Sequence, residues 1–149
     1  MGGVDYSMSL INLAETIMPS GDFICDDAIN METSKKYDFV VSHSVFHYFQ
    51  DLNYAKEVLI NMIQKAGKKI GIFDINDKSK EKRYHQVRMG SMHKEEYKKK
   101  YSGLEHTFYD KNWFEKIAEE NNCNIKIFNQ TFENYSNSKL RFNVIMEKR

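Results

Sequence analysis

A chain of 149 residues can bury a core of its own, and 41% hydrophobic with 29% charged residues is an ordinary globular balance. A formal net charge of +1 argues against a nucleic-acid partner, because such binders carry a concentrated basic surplus. The apolar runs are strand-sized and broken by Asp, His or Lys, which argues against a signal peptide and against a membrane as partner.

In chain order, Gly3-Val4-Asp5 is a short apolar run that ends on a carboxylate. Leu10, Leu13, Ala14 and Ile17 follow at helical spacing and share one face, and Pro19 and Gly21 stop that helix. Asp22 to Cys25 is a brief strand closed by the polar turn Asp26-Asp27. Tyr37 to Ser42, aromatic and β-branched, reads as a buried strand. Leu52, Ala55, Leu59, Met62 and Ile63 make a second amphipathic helix, with Asp51 as its N-cap and Gly67 as its stop. Lys69 to Ile75 is another buried strand. Residues 78–108 are charged and aromatic, and their helical periodicity is weak. A third helix opens at Asp110 and carries Trp113, Phe114, Ile117 and Ala118. Strands from Asn124 to Phe128 and from Phe142 to Met146 end the chain.

This alternation predicts βαβ units and a mostly parallel sheet. The last two strands have only a helix-free connection, which permits antiparallel pairing but not a parallel crossover. The expected fold is α/β, a mostly parallel sheet with a C-terminal antiparallel hairpin, in a single domain over residues 1–149. Cys25 and Cys123 stand far apart without CxxC spacing and read as free thiols in a reducing compartment, so a cytoplasmic location is expected.

Three strand ends recur in a telling order: Gly3-Val4-Asp5-Tyr6-Ser7 leading into a helix, Asp27-Ala28 after the second strand, and Val41-Ser42-His43-Ser44 at the end of the third. The ordered set resembles the second, third and fourth strands of small-molecule class I S-adenosylmethionine-dependent methyltransferases, a Rossmann-like fold. The resemblance implies S-adenosylmethionine as cofactor, with Asp5 accepting hydrogen bonds from the ribose hydroxyls as a carboxylate accepts a cis-diol. It implies Asp27 on the adenine amino group, with Asp26 as a rival, and the Ala28 backbone against the ring. Tyr6 and Met8 belong to the same cofactor set, Met8 and Met31 as packing for the adenine, and Ser42 borders the methionine part. The competing readings are structural: Asp5 as a helix-cap carboxylate, Asp26-Asp27 as a solvated turn, and the methionines as core filler.

The sequence also departs from that pattern. The family opens with a strand, a glycine-rich loop and a helix, whereas here Met1-Gly2 leads directly into Gly3-Val4-Asp5. The first strand and helix are therefore expected to be missing. Either the neighbouring strands close up, or another chain fills the gap, or the chain is a fragment.

His43 and His47 are four residues apart just after a buried strand. In the methyltransferase reading they are the catalytic candidates, one of them orienting or deprotonating an acceptor near the imidazole reference pKa of ~6.5. Their spacing also suits a metal pair on a helix, but no HExxH glutamate or third ligand accompanies them, so no metal is expected. Residues 78–108 fall where substrate-covering insertions occur in the family. Tyr84, His85, Arg88, His93, Tyr101, His106 and Tyr109 supply groups for an anionic or polyhydroxylated molecule, with Tyr84 and Arg88 singled out as substrate contacts. A solvated helical lid is the plainer reading of the same stretch. The expected function is methyl transfer to a small-molecule acceptor. The alternative is a non-catalytic methyltransferase-like remnant or interaction module, completed by strand pairing in a homodimer.

Overall fold

The computed structural model describes residues 1–90, 92–103 and 105–149. Its elements run β1 (Gly2–Asp5), α1 (Met8–Ile17), β2 (Asp22–Cys25), β3 (Tyr37–His43), α2 (Leu52–Lys65), β4 (Ala66–Asn76), α3 (Glu81–Met89), α4 (Lys94–Tyr101), α5 (Lys111–Glu120), β5 (Cys123–Asn129) and β6 (Arg141–Lys148).

β4 is the organising strand. Ile70, Ile72 and Ile75 are fully buried, as expected of a β-branched strand with neighbours on both edges. It pairs parallel with β3 and antiparallel with β6, and β6 in turn pairs antiparallel with β5, giving the order β3-β4-β6-β5. The expected C-terminal hairpin is present. α2 lays Ala55, Val58, Leu59, Met62 and Ile63 on this sheet, and α5 adds Phe114, Ile117 and Ala118 to the same core. Asp51 caps α2 as its sequence position predicts, accepting from the amides of Asn53 and Tyr54 at 2.8 Å each. Gly67 is not the stop: α2 ends at Lys65 and β4 begins at once with Ala66.

The sheet is not the single, mostly parallel one expected. β1 and β2 form a separate parallel pair, in register from Gly2 with Asp22 to Asp5 with Cys25. The architecture is therefore a mixed Rossmann-like α/β arrangement divided into two-stranded and four-stranded sheets. β1 pairs only with β2 and β3 only with β4, so each has one edge without a ladder partner among the described residues. Gly2, Gly3 and Val4 of β1 and Phe39 to His43 of β3 line one cavity of about 330 Å³. The two strands have not closed up.

Uncovered apolar surface accompanies this break. β3 forms as expected but is not buried: Phe39 and Val41, on one of its faces, are 62% and 61% exposed. Leu10, Leu13 and Ile17, expected to be the packed face of α1, are exposed as well, and Ile11 is the buried residue of that helix. The 78–108 stretch contains two helices, α3 and α4, although its apolar periodicity is too weak to announce them. α3 buries Tyr84 against Phe108 and Leu140 in a small second cluster. No helix among the described residues is long and apolar enough to cross a membrane.

Candidate functional site

Parallel pairing of β1 and β2 brings their carboxyl ends to one edge: the Asp26 amide donates to the Asp5 carbonyl at 3.1 Å. Asp5 is half-buried and accepts from the Ser7 amide at 2.8 Å, so one carboxylate oxygen already secures the turn into α1. Asp26 accepts from the Asp27 amide at 2.7 Å and the Asn30 side-chain amide at 2.9 Å. Those two bonds, that from Asn30 first, hold its carboxyl below the usual range. Asp27 caps the short 3-10 turn Ala28–Asn30 and accepts from the Tyr54 hydroxyl. Burial, followed by that bond, pushes the Tyr54 phenol up to about 12. Tyr6 and Met8 point into solvent. Ala28, Met31, Ser42 and His43 share the cavity between the two sheets, whereas Asp5, Tyr6, Met8 and Asp27 are outside its lining.

At the exit of β3 the chain turns through Ser44, whose φ is 56°, in the left-handed region where a side chain is strained. Across from it Asp74 has a φ of 63° near the carboxyl end of β4, where the register with β6 shifts. The two strained residues meet: the Ser44 hydroxyl donates to Asp74 Oδ2 at 2.6 Å. The Tyr135 hydroxyl donates to the same oxygen at 3.0 Å, and the Gln130 amide donates to Oδ1 at 3.2 Å. The Asp74 backbone amide donates to Asn143 Oδ1 at 2.9 Å. Burial alone would raise this carboxyl, but the Ser44 bond, the Arg141 charge and the other donors hold it below its ordinary value.

A second cavity, of about 480 Å³, opens beyond this turn. Ser44, His47, Asp74, Tyr84, Arg88 and Arg141 are among its walls. Arg141 is almost fully buried; its Nη1 donates to the Asp74 carbonyl at 3.1 Å and contacts His47 Nδ1 at 3.0 Å. A guanidinium has no lone pair to offer, so His47 Nδ1 accepts and its proton resides on Nε2. His47 is only 4% exposed, and burial, then the Arg141 charge and His106, push its imidazole down to about 4. His106 is pushed down to about 4 as well, by burial and then by Arg88 and Arg141. Arg88 Nη1 donates to the Tyr84 hydroxyl at 2.9 Å, and that hydroxyl meets His106 Nδ1 at 2.8 Å.

The predicted residues that line a cavity thus fall into two groups on either side of the Ser42–Ser44 turn, and Asp5, Tyr6, Met8 and Asp27 line neither. Ala28, Ser42 and His43 line the first cavity; His47, Tyr84 and Arg88 line the second, so the two histidines do not face one common space. Tyr109 belongs to neither: it is fully buried and donates to the Phe46 carbonyl at 2.7 Å. Asp74 and Arg141 were not singled out by the sequence, although a carboxylate inside the apolar run Ile70 to Ile75 was the available signal.

No protein-family model matches this sequence, and no curated protein matches it. Solved structures resemble it in three dimensions. Magnesium protoporphyrin IX methyltransferase from Synechocystis PCC 6803, with bound SAH, superposes with a TM-score of 0.69 at 14% identity, over 99% of this chain and 63% of that one. The N-methyltransferase NodS from Bradyrhizobium japonicum WM9 gives 0.66 at 12% identity, over 99% and 65%. An S-adenosylmethionine-dependent methyltransferase from Clostridium acetobutylicum ATCC 824 gives 0.68 at 14% identity, over 99% and 74%. The fold is class I methyltransferase-like. This methyltransferase-like chain spans less than two thirds of the length of the first two. In a methyltransferase-like sheet the carboxyl ends of the strands form the ligand-binding edge, and both cavities meet at the carboxyl end of β3.

Proposed function

We propose that this chain is an S-adenosylmethionine-dependent methyltransferase, or a portion of one, acting on a small-molecule acceptor. The observation that carries this reading is the pair of cavities flanking the Ser42–Ser44 turn, one for the methyl donor and one for the acceptor. The residues on the donor side suit an adenosine. Asp5 at its strand end keeps Oδ2 without a hydrogen bond among the described residues, which leaves an acceptor for a ribose hydroxyl. The apolar cavity beside it has Ala28, Met31, Val45 and Phe49 to pack against a ring. Asp27 accepts an adenine amino group if it keeps its cap and shares its carboxylate with Tyr54.

S-adenosylmethionine, when bound, supplies an activated methyl on a sulfonium. The protein's part is positioning and exclusion of water. Ser42 and His43 border the donor cavity, and Ser44 anchors the turn to Asp74 so that the two cavities keep a fixed relation. His47 and His106 stay neutral at neutral pH. His47 contributes a donor, because its Nδ1 lone pair is taken by Arg141. His43 lines the donor cavity and not the acceptor cavity, so its proposed part is to border the donor.

Isothermal titration with S-adenosylhomocysteine tests the reading. We expect saturable binding, weakened about tenfold or more in Asp5→Ala through loss of a charge-assisted hydrogen bond. Absence of heat at millimolar ligand overturns it.

The open edges of β1 and β3 favour a second reading, a methyltransferase-like interaction module completed by a strand from a second copy. Light scattering across a hundredfold concentration range decides it: a dimer supports strand completion, and a monomer throughout, with intact S-adenosylhomocysteine binding, rules it out.

A further inference from the structure

The second cavity carries an excess of positive charge that the fold does not neutralise. Arg88 and Arg141 both approach Tyr84, their guanidinium carbons 5.8 and 5.9 Å from its ring centroid. Among the described residues the only carboxylate in the walls is Asp74, which is buried and already accepts from Ser44, Gln130 and Tyr135. Its ion pair with Arg141 is long, 3.9 Å from Nε to Oδ1. Arg141 Nε is buried with no hydrogen-bond partner, an orphaned donor on a side chain more than nine-tenths buried. Arg88 has no carboxylate partner among the described residues. One of its N–H groups goes to Tyr84, and its guanidinium carbon sits 4.0 Å from the centroid of the Tyr101 ring. A guanidinium oriented in this way by hydrogen bonding and stacking is ready for a planar anion.

The histidines sharpen the charge balance. Both are neutral at neutral pH, so the cavity counts two guanidinium groups against one carboxylate and is left with a single positive charge. Donors dominate the rest of the wall. In the tautomer that satisfies Arg88 and Tyr84 together, Arg88 donates to the phenol and the phenol donates to His106 Nδ1, which leaves a proton on His106 Nε2. His47 likewise carries its proton on Nε2. The aromatic rings of Tyr48 and His106 stand edge to face at 5.1 Å, giving the cavity an aromatic border.

Resting on the methyltransferase reading, we propose that the acceptor is a small monoanion bound through a carboxylate between Arg88 and Arg141, with its ring or chain against Tyr48 and His106. A dianionic phosphate leaves a surplus negative charge in this cavity, and a neutral molecule leaves its positive charge uncompensated, so a carboxylate is the best match.

Nitrogen-15 NMR of the arginine Nε–H groups tests this, with benzoate, its neutral counterpart benzamide, and inorganic phosphate as probes. Benzoate is expected to shift the Arg88 and Arg141 signals saturably, benzamide to leave them in place, and phosphate to bind at least tenfold more weakly. Arg88→Gln, on a partly exposed helix position that tolerates the change, is expected to weaken benzoate at least tenfold with an unchanged fold by circular dichroism. Equal binding of benzamide, tighter binding of phosphate, or benzoate binding indifferent to Arg88→Gln overturns the proposal. S-adenosylhomocysteine titrated into the same sample separates the two claims. Benzoate binding without nucleoside binding leaves the anion site standing and removes the methyltransferase reading; the converse removes only the carboxylate.

Discussion

Asp74 shows how one residue can shape a site. A carboxylate in a strand interior disfavours burial, and a positive φ disfavours any residue with a Cβ, at about 1–3 kcal/mol. Here both penalties are met at the same position, and the bulge they make aims the carboxylate at Ser44, Tyr135 and Gln130. Arg141 then bridges Asp74 to His47. His47 follows from that bridge, since a buried imidazole beside a guanidinium resists protonation. In the folded protein its pKa falls to about 4, against ~6.5 when unfolded. Between those values the unfolded chain binds the extra proton. The stabilisation is complete above ~6.5, and it drains away as the pH falls toward the folded value, a loss of roughly 3 kcal/mol in all. Half-buried His106 acts in the same direction, and Asp74, with its lowered pKa, extends the loss below the ordinary carboxylate range. Urea midpoints measured from pH 7.5 to pH 4 are expected to fall steadily with pH. His47→Gln is expected to flatten that slope, even if its stability at pH 7.5 is lower.

At the scale of elements, helical periodicity and actual burial part company between α1 and α2. Both show apolar residues at helical spacing, yet Leu59 of α2 is fully buried while Leu13 of α1 is 54% exposed. Leu59→Ala is therefore expected to cost about 2–5 kcal/mol in a urea titration, through lost burial and a residual cavity. Leu13→Ala is expected to change stability by less than about 0.5 kcal/mol. A comparable cost for both would mean that α1 is covered in solution. The contrast also explains what the sequence disclosed. Strands β2 and β3, helices α2 and α5, and the closing hairpin were legible because β-branched runs, the Asp51 cap and a short polar connection act locally. Helices α3 and α4 were not, because their charged sequences bury only Tyr84 between them. Of the site, Tyr84 and Arg88 could be picked out as cationic and aromatic groups beside a strand exit. Arg141 could not: its role depends on a register with β4 and a bulge at Asp74, and neither leaves a mark in nearby sequence.

For the whole molecule, the division of the sheet sets a hierarchy of stability. β4 has partners on both edges and β6 lies between β4 and β5, with Ile70, Ile72, Val144 and Met146 fully buried. Among the described residues β1 and β2 have only each other as ladder partners, and little of the core reaches them. Amide hydrogen exchange read by mass spectrometry is expected to find Ile70 to Ile72 and Val144 to Met146 opening only with global unfolding. Gly3 to Asp5 and Phe23 to Cys25 are expected to exchange at least a hundredfold faster, through local opening. Uniform protection across all six strands would show that something bridges the break.

On the proposed function, that break also has a consequence for affinity. Asp5 and Ser42 belong to separate ladders, so a nucleoside held by both, as proposed, would act as a clasp. Part of its intrinsic binding free energy would go into aligning the small sheet with the large one, and its affinity is expected to fall short of what its contacts supply. A strand or helix occupying the intervening space would recover the difference without touching the nucleoside at all.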